Sequence, residues 1–198
     1  RTFGYPVFLR CAAAFSLDPA WIPVCQFIAH IIATGVFCRG VGRIVPSVWV
    51  SVIVGSALLY SNVVLRYVNC LAPDMLASSM SIASIGFLLL AVLQRNRRWS
   101  WLALAACVFV SYQLRPVYLF LVPLVPILGF SLWWLAPERA SHPLRAGGLL
   151  VRLVLVGLLP LLLFCGARWM LVGDFSLVSF GGNNFSGVVT SWLDDGLV

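Results

Sequence analysis

Apolar residues run through this chain in long blocks, without the three-and-four spacing of helices that keep one face in water. Five blocks, residues 21–38, 46–65, 75–94, 99–114 and 116–137, carry no formal charge at all. A sixth, residues 148–172, holds only Arg152 and Arg168, near its two ends, where long side chains can snorkel to lipid headgroups. A hydrocarbon layer about 30 Å thick takes roughly 20 residues at about 1.5 Å rise each, so these blocks predict membrane-crossing helices. Residues 4–16 are apolar but too short to cross, and Arg10 interrupts them. That pattern predicts a helix lying along one membrane face.

Composition supports the same class. The chain has 198 residues, 62% of them hydrophobic and 10% charged, with a mean hydropathy of +1.02. Those values exclude an ordinary water-soluble domain and fit one polytopic helical membrane domain. The fold class is all-α, a transmembrane helical bundle of about six spans plus the interfacial helix. No internal repeat or low-complexity tract interrupts it. The six cysteines are scattered through apolar blocks without a CxxC pair, and His30 and His142 are the two histidines, so a structural zinc site is not indicated.

Charge sets the topology. The net charge of +7 comes from thirteen arginines, no lysine and six acids, and the arginines cluster at block ends instead of forming one patch for nucleic acid. Alternating the six spans across the membrane places Arg39, Arg43, Arg95, Arg97, Arg98, Arg139 and Arg145 on one side. By the positive-inside rule that side is cytoplasmic. Five of the six acids fall on the other side, and Glu138 is the exception. Within the third span, Ala77, Ser78, Ser81 and Ser84 form a small-residue face suited to close helix packing.

Few residues carry candidate chemistry. Asp74 follows Pro73 where the third span begins on the outer face; a carboxylate there can position a substrate, bind a cation or act as a base, or it can cap the helix. Arg115 precedes Pro116 at the outer end of the fourth span, where a guanidinium can clamp a phosphate or anchor to headgroups. Arg66, beside Tyr67, has the same two readings. The run Phe180 to Gly187, FGGNNFSG, is a turn whose amides Asn183 and Asn184 can hydrogen-bond sugar hydroxyls, and it also contains an N-x-S sequon. Asp194 and Asp195 are adjacent and would point apart on a helix. No Walker loop, dinucleotide fingerprint, HExxH or nucleophile elbow is present.

The opening run from Arg1 to Leu9, RTFGYPVFL, resembles the R-T-P-G-Y-P-L-F-L motif of bacterial GT-C membrane glycosyltransferases, the superfamily of protein O-mannosyltransferases and lipid A aminoarabinose transferases, with Phe3 where the family has proline. Asp74, then Arg115 with Pro116, follow in the family's order of outer-face acidic and basic residues, and the closing residues 173–187 are similar to its next periplasmic segment. The resemblance implies that residues 1–18 end a first periplasmic loop, 19–172 form six transmembrane helices and 173–198 begin another loop. It also implies that the chain is an internal fragment whose main catalytic acid lies upstream of Arg1.

The implied activity is transfer of a sugar from a polyprenyl-phosphate donor to a lipid, glycan or protein acceptor at the periplasmic face of a bacterial inner membrane. Asp74 would position substrate or a divalent metal, with Arg115, Arg66, Tyr5, Arg1, Asn183 and Asn184 around the donor and acceptor. Membrane lipids are expected partners and nucleic acid is not. Two other functions fit the residues: a transporter or flippase of lipid-linked or small polar substrates, and a non-catalytic membrane subunit.

Overall fold

In a computed structural model the described residues are 4–15, 20–61, 66, 73–93, 98–135, 143–173 and 175. Every regular element among them is helical. In chain order these are α1 (Gly4–Phe15), α2 (Trp21–Val41), α3 (Val48–Leu59), α4 (Pro73–Leu93), α5 (Arg98–Leu114), a 3-10 turn (Pro116–Phe120) leading into α6 (Leu121–Trp134), and α7 (Pro143–Val172).

Four stretches are long and apolar enough to cross a bilayer: Trp21–Val41, Pro73–Leu93, Pro116–Trp134 and Ala146–Val172. The helices described for the other two expected spans are shorter than these four. The block 46–65 yields a helix of only 12 residues, about 18 Å at 1.5 Å per residue. Its start is set by Pro46 and by Ser47, which is extended at φ −120° and ψ 123°. Its end is the turn at Tyr60, whose N–H bonds to Ser56 O at 2.9 Å. Between them, β-branched Val48, Val50, Val52, Ile53 and Val54 lower helix propensity, and Gly55 lowers it further. Helix α5 has 17 residues, or about 25 Å. The segment expected to lie at the interface forms a 12-residue helix, close to the expected bounds.

Helix α4 is the centre of the bundle. In its membrane-length window 61% of residues are buried, against 17–22% for the other three candidate spans, so those helices present most of their surface outward. The outward faces are apolar, with Ile31, Ile32, Val52, Ile53, Leu162 and Leu163 all exposed, as a lipid solvent requires. One core joins Leu88 and Val92 of α4 to Leu104, Val108 and Tyr112 of α5, Leu121, Val125 and Trp133 of α6, and Leu153 of α7. A second, at the other end of α4, gathers Leu76, Ala77 and Leu114, with Tyr5 and Phe8 of α1 and Tyr118 against them.

Lipid tails are as apolar as leucine, so helices within a membrane gain by close packing more than by exclusion of water. Helices α2 and α4 approach closely at Gly86, where an added Cβ would lie 2.8 Å from the backbone N and Cα of Phe37. Opposite it, a Cβ on Gly40 would lie 3.0 Å from Gly86 O. Glycine also seats α7 on α6, since a Cβ on Gly129 would be 2.6 Å from Leu153 and one on Gly157 would be 3.0 Å from Val122 O. Of the anticipated small-residue face, Ala77 and Ser84 are buried and Ser78 and Ser81 only partly so. Ser78 and Ser84 return their hydroxyl protons to carbonyls of their own helix, Met75 and Ser81.

His30, the one ionisable side chain in the middle of α2, is buried and ties three helices together. Its Nδ1 lies 3.0 Å from Ser79 Oγ of α4 and its Nε2 lies 3.2 Å from Leu58 O in the last turn of α3. An Nε2–H donating to Leu58 O adds a side-chain donor to a helix-end carbonyl that also accepts from Ser61 N–H at 3.4 Å. The Ser79 hydroxyl has a single proton for two acceptors, His30 Nδ1 and Met75 O at 2.7 Å.

Replacing Gly86 by valine should separate α2 from α4 and destabilise the chain by about 1–3 kcal/mol, as overpacking does. Gly35→Ala, mid-helix at a position with open space around it, should not destabilise the chain and should add up to about 1 kcal/mol through helix propensity. Thermal melting of both variants in one detergent measures the difference.

Candidate functional site

Helices α4 and α5 run antiparallel as neighbours, so the first turn of α4 and the last turn of α5 lie at the same end of the bundle. Asp74 occupies that first turn. Arg115 follows the last residue of α5, and the proline after it holds its backbone extended, at φ −143° and ψ 116°. The two side chains meet: Arg115 Nη2 donates to Asp74 Oδ2 across 41 residues of sequence. The carboxylate sits near the positive end of the α4 dipole and the guanidinium near the negative end of the α5 dipole, so each helix favours the charge at its terminus. Of the readings open to Asp74, the N-cap is replaced by this one, because Asp74 lies inside the helix and its carboxylate is turned to Arg115.

Helix α1 packs against the same end. A Cβ on Gly4 would fall 2.9 Å from both the backbone C and O of Gln113, so a residue without a side chain is needed where α1 crosses α5. One residue on, Tyr5 stacks on Phe8 with ring centroids 5.9 Å apart. Tyr5 packs against the small core of Leu76, Ala77 and Leu114, immediately below the ion pair. Its hydroxyl accepts a 3.4 Å hydrogen bond from Gln26 Nε2 of α2. Burial pushes the Tyr5 hydroxyl above its usual pKa, with the Gln26 contact partly opposing the shift. At neutral pH it is thus a hydrogen-bonding group and not a base. Tyr118 completes the setting: its N–H bonds Arg115 O at 3.0 Å, and its phenol lies within electrostatic reach of both Asp74 and Arg115.

Thus Tyr5, Asp74 and Arg115, far apart in sequence, converge at one end of α4 and α5. Arg66 is exposed on the chain between α3 and α4. Arg1, Asn183 and Asn184 lie outside the described residues, as do the sequon and Asp194 with Asp195. Among the described residues no group of three His, Cys, Asp or Glu side chains could hold a metal ion. Asp74 is the one carboxylate among the described residues, and it is engaged by the Arg115 guanidinium. Cys11, Cys25, Cys38, Cys107 and Cys165 are free thiols.

Gln113 was not singled out by sequence reasoning. It is fully buried, and among the described residues neither its Oε1 nor its Nε2 has a hydrogen-bond partner; the neighbouring Tyr112 hydroxyl is in the same state. A buried amide left unpaired is costly and calls for a water or a ligand. The signal in the sequence was the run Ser111, Tyr112, Gln113 directly before Arg115, which concentrates polar groups in the last turn of an apolar helix.

Compared with protein-family models, curated proteins and solved structures, the chain matches none of them.

Arg115 is 44% exposed and Asp74 26%, so solvent screens their attraction. A pair of this kind contributes about 0–1 kcal/mol. Asp74→Asn, Arg115→Gln and the double variant should therefore melt within a few degrees of the unmodified chain, with a coupling energy under about 1 kcal/mol in a double-mutant cycle. Gln113→Leu should be neutral or stabilising if the amide has no structural partner, and a loss of about 1–3 kcal/mol would reveal one.

Proposed function

We propose that this chain is the membrane domain of a glycosyltransferase that uses a polyprenyl-phosphate sugar, with GT-C-like architecture and six helices crossing a bacterial inner membrane. Its reaction site would face the periplasm at the end of the bundle where Asp74 and Arg115 meet. The observation that supports this reading best is the convergence at that end: the GY dipeptide of the opening motif, Asp74 and Arg115, recognised separately along the sequence, are side by side.

The chemistry follows from the donor. A polyprenyl phosphate keeps its tail in lipid and its phosphate at headgroup depth, which is where the ends of membrane helices lie. An acceptor hydroxyl or amine forms a bond to the anomeric carbon as the bond from that carbon to the phosphate oxygen breaks. The proton passes to a carboxylate, expected upstream of Arg1, and the departing phosphate gains negative charge. A fixed cation beside that oxygen lowers the barrier. Arg115 has five N–H donors; Asp74 engages one amino group of the fork, and the partial exposure of the guanidinium leaves others for the phosphate. Asp74 is then a positioning residue that holds the arginine in place.

The enzyme to assay is the full-length protein in proteoliposomes with a polyprenyl-phosphate sugar. Arg115→Ala should raise the donor KM about tenfold or more, as loss of a charge-assisted phosphate contact does. Asp74→Ala should raise the same KM, and the double variant should be no worse than Arg115→Ala alone. Strictly additive losses would show that Asp74 acts independently of Arg115. Unchanged turnover and KM in both single variants would end the transferase assignment for this site, and flux of a polar substrate without bond formation would favour transport.

A further inference from the structure

The opposite, arginine-rich end of the bundle carries a second feature. Between α2 and α5, over the C-terminal half of α4, runs a groove of about 640 Å³, within the range of sites that hold small molecules. Its floor is Phe87 and Leu90 of α4; one wall is Val36 and Arg39 of α2, and the other is the face of α5 that carries Trp99, Ser100 and Ala103. Arg39 and Ser100 are the polar residues of an otherwise apolar lining. Trp99 is 79% exposed beside it, and Arg98, the first residue of α5, is exposed next to Trp99.

We propose that this groove binds an anionic phospholipid of the surrounding bilayer, with one acyl chain between α2 and α5 and the phosphate on Arg39. Three observations favour that occupant. The groove is open on the lipid-facing side of the bundle and apolar along its length, so a hydrocarbon chain fits and a polar solute does not. At its end stands a guanidinium for which no described carboxylate is a partner, since Asp74 is the single acid among the described residues and it pairs with Arg115 at the other end. Trp99 opens α5 at the end that carries Arg39 and Arg98, and an indole at a helix end favours the headgroup boundary, where those arginines would meet phosphates. Basic pockets between membrane helices at the arginine-rich side are suited to anionic headgroups. The site is remote from the Asp74–Arg115 pair and does not depend on the transferase reading.

Phospholipids brominated on their acyl chains quench nearby tryptophans, and the Trp99 contribution is the difference between the full chain and its Trp99→Phe variant. Brominated phosphatidylglycerol should quench Trp99 at a mole fraction about fivefold lower than brominated phosphatidylcholine, the effect of one arginine at the surface. Arg39→Gln should abolish that preference while Arg10→Gln, at the other end, retains it. Ala103→Leu, which fills the groove, should weaken quenching by both lipids, and melting curves report whether each variant is folded. Equal quenching by the two lipids, a preference that survives Arg39→Gln, or unaltered quenching in Ala103→Leu would each overturn the proposal. So would a dimer that shields Trp99 from both lipids, which would assign the groove to a second copy of the chain.

Discussion

Backbone-close contact at Gly86 is the constraint on which the rest of the bundle depends. In a lipid environment apolar side chains gain little by leaving the solvent, so helix pairs are selected by how closely their backbones fit. The two glycines, Gly40 and Gly86, let α2 lie directly on α4, and along the same contact His30 reaches Ser79 of α4 while its other ring nitrogen meets Leu58 O of α3. Helix α3, only 12 residues long, is thereby fastened to a longer partner. It is held again by Cys38 Sγ, which donates to Ser51 O at 3.4 Å and contacts the position of Gly55. A bulkier residue at 86 would disturb the glycine contact first and the polar ties afterwards.

With α4 fixed at the centre, the placement of the charged pair becomes a consequence of helix packing. Residues 41 positions apart meet because α5 returns along α4 and ends where α4 began. Proline then acts twice at this end, at position 73 inside the start of α4 and at position 116 after the end of α5, and each frees the chain to turn there. Gly4 lets α1 close the same end by resting on the Gln113 backbone. The apolar patch of Leu76, Ala77, Leu114 and Tyr5 beneath the pair limits how far water reaches, which preserves more of the attraction than a fully exposed pair would keep.

Helix existence was legible from the charge-free blocks, because the pattern reflects a requirement that lipid imposes on every crossing element. Helix length was less legible. The block 46–65 is uniformly apolar, yet backbone preferences at Ser47 and Tyr60 end its helix early, and hydrophobicity does not encode those preferences. The opposite error occurred in 148–172, where the helix starts earlier, at Pro143, through a charged segment that the apolar pattern does not cover. Asp74 and Arg115 could be placed at one end of the bundle by counting spans. That they touch could not, since contact depends on the rotation of α4 relative to α5. Gln113 was invisible for a related reason: a glutamine at a helix end is ordinarily exposed, whereas here it is buried where α1 rests on the Gln113 backbone.

The weakness of the ion pair bears on why it is there. A partly exposed pair adds at most about 1 kcal/mol to stability, a contribution that a single buried leucine exceeds. Orientation is where it has a larger effect. An arginine loses about 2 kcal/mol of rotamer freedom when it is immobilised, and a carboxylate that has already fixed the side chain spares an incoming anion most of that cost. Arg39, at the other end of the bundle, has no described carboxylate to fix it and lies beside an apolar groove instead. The same side chain is therefore set up differently at the two ends. Arg115 is pre-oriented, which suits the proposed contact with a reacting phosphate, whereas Arg39 is left to adapt, which suits the proposed lipid.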